Sequence, residues 1–242
     1  MKLLIIRHGD PDYAVDSLTE KGWREAELLS GRLAALDIRA FYMSPLGRAR
    51  DTASVTLKRM KREAEILPWL REFRAPVLDP ESGEEHIPWD FLPAVWTKTT
   101  EYYDRDKWHT VPLMREGGVF EEAQRVYSGL DALLKKHGYA REGEIYRAAA
   151  PNRDTVVLFC HFGVGCVMLG HLLGVSPIVL LHGLCAAPSS VTTLVTEERR
   201  EGEAYFRMSS FGDISHLSAA GEEPSFSARF CETWDAQDER HD

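Results

Sequence analysis

The chain predicts an α/β fold: a mostly parallel central sheet flanked by helices on both faces, with an aromatic-rich insertion forming a cap. Strand-like and helix-like patterns alternate through both halves of the 242 residues. That order builds parallel sheets with helices packed on them. The stretch 73–115 interrupts it with five prolines and a dense aromatic group, Trp89, Phe91, Trp96, Tyr102, Tyr103 and Trp108. The length suits one sizeable core carrying an insertion, so a single domain over 1–242 is expected.

Each element has its own signal. Leu3-Leu4-Ile5-Ile6 is a short apolar run with the reading of a buried strand, ending where Arg7, His8 and Gly9 begin a loop. Thr19 is placed to cap a helix whose stripe is Ala26, Leu29, Leu33 and Leu36. Ala40 to Met43 reads as a second strand ended by Ser44-Pro45, followed by a helix through Arg48, Ala49, Thr52, Ala53 and Leu57. Ile66 to Leu70 reads as a third strand. The aromatics of 73–115 either fill a satellite core or form a cap that shapes a pocket, and both can hold together. Gly117-Gly118 introduces a helix through Phe120, Val126, Leu130, Leu133 and Leu134, ending near His137-Gly138. The Gly-, Arg- and Pro-containing stretch to Asp154 reads as a surface connection. Thr155 to Cys160 is an apolar strand, His161 to Gly165 a strand-to-helix turn, and Val167 to Leu173 a helix stopped by Gly174. Val191–Val195 and Ala204–Met208 are strands around Glu201-Gly202, and the tail from 218 to 242 is expected to be poorly ordered.

Composition narrows the function. The net charge of −9 argues against a nucleic-acid surface, which needs an excess of Lys and Arg. No stretch approaches the roughly 20 apolar residues of a bilayer span. The apolar run after Lys2 is too short for a signal peptide. Cys160, Cys166, Cys185 and Cys231 are too few and too scattered for a disulfide framework or a paired-Cys zinc site. A reducing cytoplasm is expected, with no membrane or nucleic-acid partner; a homodimer is left open.

The chemistry is carried by two strand ends. Strand 3–6 runs into Arg7-His8-Gly9, and strand 155–160 runs into His161-Phe162-Gly163. A third strand delivers Ser44-Pro45-Leu46-Gly47-Arg48. If the three are neighbours, Arg7, Arg48, His8 and His161 converge on a cationic pocket in an otherwise acidic protein. Such a pocket suits an oxyanion: Arg as bidentate donor, Gly for close backbone approach, His able to attack. Two arginines without an Asp or Glu cluster disfavour a dinuclear metal site.

Arg7-His8-Gly9, Leu18-Thr19-Glu20-Lys21-Gly22, the run from Ser44 to Ala53, His161-Phe162-Gly163 and the late Phe211-Gly212-Asp213-Ile214-Ser215-His216-Leu217 resemble motifs of the histidine phosphatase superfamily, also called phosphoglycerate mutase-like. The resemblance covers about residues 1–72 and 155–217. It implies that His8 is the nucleophile, forming a phosphohistidine that water hydrolyses. Arg7, Arg48 and His161 match positions that hold the phosphoryl oxygens, which electrostatic stabilisation also asks of them. Glu72 matches the position of the acid that protonates the leaving group, with Asp10, Glu84 and Glu85 as fallbacks. Gly9, Tyr13 and the Phe162 N–H complete the expected substrate-binding set. No cofactor and no metal are implied; the partner is a small phosphorylated substrate.

Two departures favour phosphatase over mutase. Members of the mutase subgroup carry a Glu-Arg-His-Tyr-Gly type segment at the acid and an Asn six residues after the nucleophile, whereas this chain has Glu72-Phe73-Arg74-Ala75-Pro76 and Ala14. The Phe-Gly-x-Trp-Glu-Gly segment of small sugar- or ribazole-phosphate phosphatases is also missing. A mutase-type phosphotransferase and a non-catalytic phosphate-binding module are the alternatives. Lys58, Arg59, Lys61 and Arg62 read as a solvated helix end, His171 and His182 as core or pocket-edge residues, and Cys160 and Cys166 as small buried hydrophobes.

Overall fold

The computed structural model describes residues 1–78, 83–89, 91–227 and 229–237. The sheet is built from β1 (Lys2–Arg7), β2 (Ala40–Met43), β3 (Glu65–Ile66), β4 (Tyr139–Glu142), β5 (Ile145–Ala148), β6 (Thr155–Cys160), β7 (Val191–Arg200) and β8 (Glu203–Asp213), in the spatial order β3-β2-β6-β1-β7-β8-β5-β4. The half that carries the site, β3 to β1, is wholly parallel. β7 runs against β1, and each strand beyond it reverses again. Only β7 and β5 therefore oppose the direction of β1.

The side-chain alternation of β1 and β6 divides the core in two. Leu4, Ile6, Val157 and Phe159 face α1 (Glu20–Ala34) and α2 (Gly47–Met60), joining Leu29, Leu33 and Ala53. Leu3, Ile5, Val156, Leu158 and Cys160 face α3 (Val119–Lys136) and α4 (Phe162–Leu173), joining Val126, Leu130, Val164 and Leu169. Strands buried on both faces read as continuous apolar runs, as these do. Each fully buried Leu or Ile here is worth roughly 1.5–3 kcal/mol of transfer free energy. Thr19 caps α1 by accepting the Gly22 N–H at 3.0 Å.

Two sequence expectations are corrected. The strand expected over 66–70 is only two residues long, Glu65–Ile66, followed by a 3₁₀ turn at Pro68–Leu70. Pro68 has no N–H to continue the ladder, and its ring fixes φ. The connection expected before Asp154 contains the hairpin of β4 and β5, turned at Gly143 with φ +57°. Its Tyr139 and Tyr146 are fully buried, but Arg141 stands on the same face, level with Tyr146, and breaks the two-residue apolar period. Among the helices not anticipated is α5 (Pro177–Gly183), opened by Pro177.

In the insertion, Phe73, Val77, Phe91, Tyr102, Trp108 and Met114 are buried in the same core as α3 and α4, with Trp89 and Trp96 packed partly exposed against it. Residues 79–82 and 90 of the insertion, and 228 and 238–242 of the tail, lie outside the described residues. In the described part of the tail, Glu222 pairs with Lys21 at 2.9 Å, and the hydroxyls of Ser225 and Ser227 both donate to Asp10 Oδ1. Among the described residues no helix is long and apolar enough to cross a membrane.

Candidate active site

Strand register sets the site. Arg7 is level with Cys160 in β1/β6, and Phe159 is level with Met43 in β6/β2. The next residues, His8, His161 and Ser44, therefore leave the sheet side by side at the carboxyl ends of parallel strands, where open α/β sheets hold ligands. The His8 N–H still donates to Cys160 O at 3.0 Å, and the two imidazole centroids are 5.2 Å apart. Thr52 on α2 ties the loop down, accepting the Gly9 N–H at 2.9 Å. Gly9 has no room for a Cβ, which would stand 2.8 Å from Gly22 O.

Hydrogen bonding assigns the tautomer of His8. Nδ1 lies 2.7 Å from Gly9 O, an acceptor only, so Nδ1 carries the proton. Nε2 keeps its lone pair and accepts from Arg48 Nε at 3.3 Å. Burial, and then the charge of Arg7, hold His8 well below the ordinary imidazole range. The imidazole is thus neutral and nucleophilic at neutral pH. His161 is held down by burial first and by His8 next. Ser44 Oγ accepts the Leu46 N–H at 3.2 Å and lies 2.7 Å from His161 Nε2, to which its hydroxyl proton can be donated. With the hydroxyl as donor the ring proton falls on Nδ1, and His161 is then a donor there.

Of the buried polar atoms without a hydrogen-bond partner among the described residues, two lie at this site: Arg7 Nε and His161 Nδ1. An unsatisfied buried donor costs about 1–3 kcal/mol, so the pair is poised for an oxygen-rich ligand. Both residues line one small cavity with Phe162, Cys166, Ala186 and Ser190. Arg7 is fixed from behind by Nη1 donating to Ala186 O at 2.6 Å.

Arg48 has a partner that sequence reasoning missed. Its Nη1 donates to Asp16 Oδ1 at 2.6 Å, and Asp16 Oδ2 accepts the Gly47 N–H at 2.7 Å. Burial pushes the Asp16 carboxyl up, but these donors prevail and hold it low. Asp16 sits in the left-handed region at φ +49°, which Asp tolerates better than most residues. Gly47 is required beside it, because a Cβ there would meet Asp16 O at 2.0 Å. The only signal in the sequence was a single acid ending the loop Tyr13-Ala14-Val15-Asp16. Tyr13 itself, 67 % exposed, lies over the Arg48 guanidinium at 5.4 Å.

Glu72 sits at the N-terminus of α4. Its Oε1 accepts the N–H groups of Phe73 at 2.7 Å and Val164 at 2.9 Å, and Oε2 that of Gly163 at 3.4 Å. The helix end attracts an anion there, yet burial outweighs the donors and raises the carboxyl above its usual range. The Phe162 N–H is the first-turn donor not committed to this carboxylate. The fallback acids lie elsewhere in the fold. Asp10 is engaged by Thr19 at 2.7 Å and by the tail serines, while Glu84 and Glu85 are exposed at a two-strand hairpin of the insertion. No group of three or more His, Cys, Asp or Glu that could hold a metal ion occurs among the described residues.

Known proteins resemble the chain in sequence and in fold. Over 62 residues the chain is 42 % identical to a 2,3-bisphosphoglycerate-dependent phosphoglycerate mutase of Thermoplasma acidophilum, a match covering 22 % of this chain and 31 % of that one; it thus spans about a third of the mutase's length. Among solved structures, phosphoglycerate mutase from Bacillus anthracis superposes with a TM-score of 0.61 at 19 % identity, over 92 % of this chain and 97 % of that one. A phosphoserine phosphatase variant of Entamoeba histolytica in complex with phosphoserine gives 0.59 at 18 % identity, over 89 % and 98 %. A mycobacterial glucosyl-3-phosphoglycerate phosphatase gives 0.57 at 20 % identity, over 87 % and 98 %. At these identities the structures show a shared fold. The sequence model of the histidine phosphatase superfamily, branch 1, matches residues 3–205, and the chain belongs to that superfamily.

Proposed function

We propose that the protein is a phosphomonoesterase that works in two transfers through His8. The observation that carries this reading is the Nδ1–H bond from His8 to Gly9 O, which leaves Nε2 as a lone pair beside two arginines and a second histidine. In the first transfer Nε2 attacks phosphorus, the N–P bond forms and the ester P–O bond breaks. Glu72 gives its proton to the departing oxygen. In the second, water attacks the phosphohistidine, its proton returns to Glu72, and phosphate leaves as the N–P bond breaks.

Arg7, Arg48 and the Nδ1–H of His161 supply donors to the phosphoryl oxygens, where charge gathers in the transition state. The positive charge of the two arginines does the work for which other phosphoryl-transfer sites use a divalent ion, so turnover in the presence of a chelator is expected to be unchanged. Phe162 N–H and Tyr13 border the same space.

Screening a phosphometabolite panel together with p-nitrophenyl phosphate tests the reading. Release of free phosphate by the parent, and its loss in His8→Ala with the melting temperature retained, is the expected result. The resemblance of 62 residues to a mutase gives a second reading, in which a hydroxyl of the substrate takes the phosphoryl group from His8. With phosphoglycerates, interconversion of isomers would favour the mutase and free phosphate the phosphatase.

A further inference from the structure

The insertion meets the chemistry at Gly163. A Cβ built there would stand 2.8 Å from Glu72 Oε1 and 2.9 and 3.1 Å from Cη2 and Cζ3 of Trp89. All three distances lie inside van der Waals contact, so it is the bare Cα of this glycine that leaves room for a carboxylate oxygen and an indole edge beside the same point of the first turn of α4. Trp89 is braced from the other side by Phe73, with ring centroids 6.2 Å apart and planes tilted by 34°. Phe73 is itself fully buried, follows Glu72 directly and donates its N–H to the same oxygen, Oε1. One short stretch of chain thus fixes both the acid and the ring beside it.

We propose that Trp89 is a positioning residue for the transfer: its ring walls the Glu72 carboxyl off from water and so preserves it as the proton donor to the leaving oxygen. This inference rests on the assignment of Glu72 as the acid in the proposed reaction. The Cη2–Cζ3 edge of an indole offers a carboxylate no hydrogen bond, and it occupies the place of water that would solvate the anion.

The other groups around Glu72 act in the opposite sense or not at all. Arg48 from α2 and Arg7 from β1 favour the anion, as do the N–H groups of Phe73, Gly163 and Val164. Arg71, on the same segment as Glu72, is turned to Glu122 at 2.9 Å. The thiols of Cys160 on β6 and Cys166 on α4 are pushed up by burial and bring no charge. Exclusion of water is therefore what raises the carboxyl against these donors, and Trp89 is the member of that barrier contributed by the insertion.

The test compares Trp89→Leu, Trp89→Phe and Glu72→Gln on phenyl phosphate, whose leaving group needs a proton, and on p-nitrophenyl phosphate, whose leaving group does not. For Trp89→Leu the alkaline limb of the kcat profile with phenyl phosphate is expected to move down by about one pH unit, a roughly tenfold loss above that limb. The p-nitrophenyl phosphate rate is expected to change by less than about twofold, since general acid help matters little there. Trp89→Phe, which keeps an aromatic wall, is expected to lie near the parent, and Glu72→Gln is expected to abolish the limb. Equal losses on both substrates with the limb unmoved would overturn the role of Trp89. A limb that survives in Glu72→Gln would overturn the assignment of the acid instead.

Discussion

Arg48 Nε donates to His8 Nε2 at 3.3 Å, which sets a guanidinium on the lone pair that attacks phosphorus in the proposed reaction. The same guanidinium is held at Nη1 by Asp16. An arriving phosphoryl dianion is a stronger acceptor than a neutral imidazole. Rotation of the fork about its Asp16 anchor would release Nε2 and give the substrate a donor in one movement.

Arg48→Lys keeps a charge but loses the fork and its bond to Asp16. A fall in kcat of roughly 10²–10³-fold is expected, the range found when one donor to a developing oxyanion is removed. Steady-state kinetics on p-nitrophenyl phosphate check it; a variant within twofold of the parent would mean Arg48 is not a transition-state donor.

Asp16→Asn keeps an acceptor for the Gly47 N–H while removing the charge that orients Arg48. Part of the Arg48→Lys loss should follow, mainly in kcat, with the melting temperature lower by a few degrees at most. Addition of Arg48→Lys to Asp16→Asn should then cost less than the two changes separately, because both act on one group. A fully additive double mutant would separate the two residues.

Gly163→Ala is expected to damage activity far more than a buried methyl group ordinarily would. The new Cβ falls 2.8 Å from Glu72 Oε1 and 2.9 Å from Trp89, and both belong to the proposed acid. A kcat loss larger on phenyl than on p-nitrophenyl phosphate is the expected pattern.

The buried histidines make the fold acid-sensitive. His8 and His161 are held well below 6.5, chiefly by burial, and His216, buried and bonded to Ser189 at 3.0 Å, is brought down to about 4. Below pH 6.5 the unfolded chain takes up protons that the folded chain refuses, so stability falls as pH falls. Melting temperature should decline from pH 6.5 towards 4, by less than the histidines alone would give, because burial raises Glu72, and Glu25 to about 7, and the fold takes up protons on these carboxyls first. Because His8 stays neutral over the upper part of that range, the proposed activity should decline with the fold rather than ahead of it.

The floor of the site was legible in the sequence because it is made by strand ends. A run such as Leu3 to Ile6 fixes the strand, and the residue after it must leave the sheet, so Arg7, His8 and His161 could be placed without coordinates. Partners that arrive through loops could not. Asp16 reaches Arg48 by a left-handed turn that no periodicity announces, and Trp89 meets Glu72 across a glycine 74 positions further along the chain from the indole. The hairpin of β4 and β5 escaped notice because Arg141 shares the face of its buried tyrosines and breaks the apolar period. The third strand failed at Pro68, which stops a ladder that Leu67 had continued by donating to Met43 O at 3.0 Å.

The central claim is that Nε2 of His8 takes the phosphoryl group. Rapid quenching of the parent protein with ³²P-labelled phenyl phosphate should trap an acid-labile, base-stable phosphoprotein within one turnover, with the label mapped to the peptide containing His8 and absent from His8→Ala. Turnover with no such adduct, or an adduct on another residue that survives in His8→Ala, would contradict it.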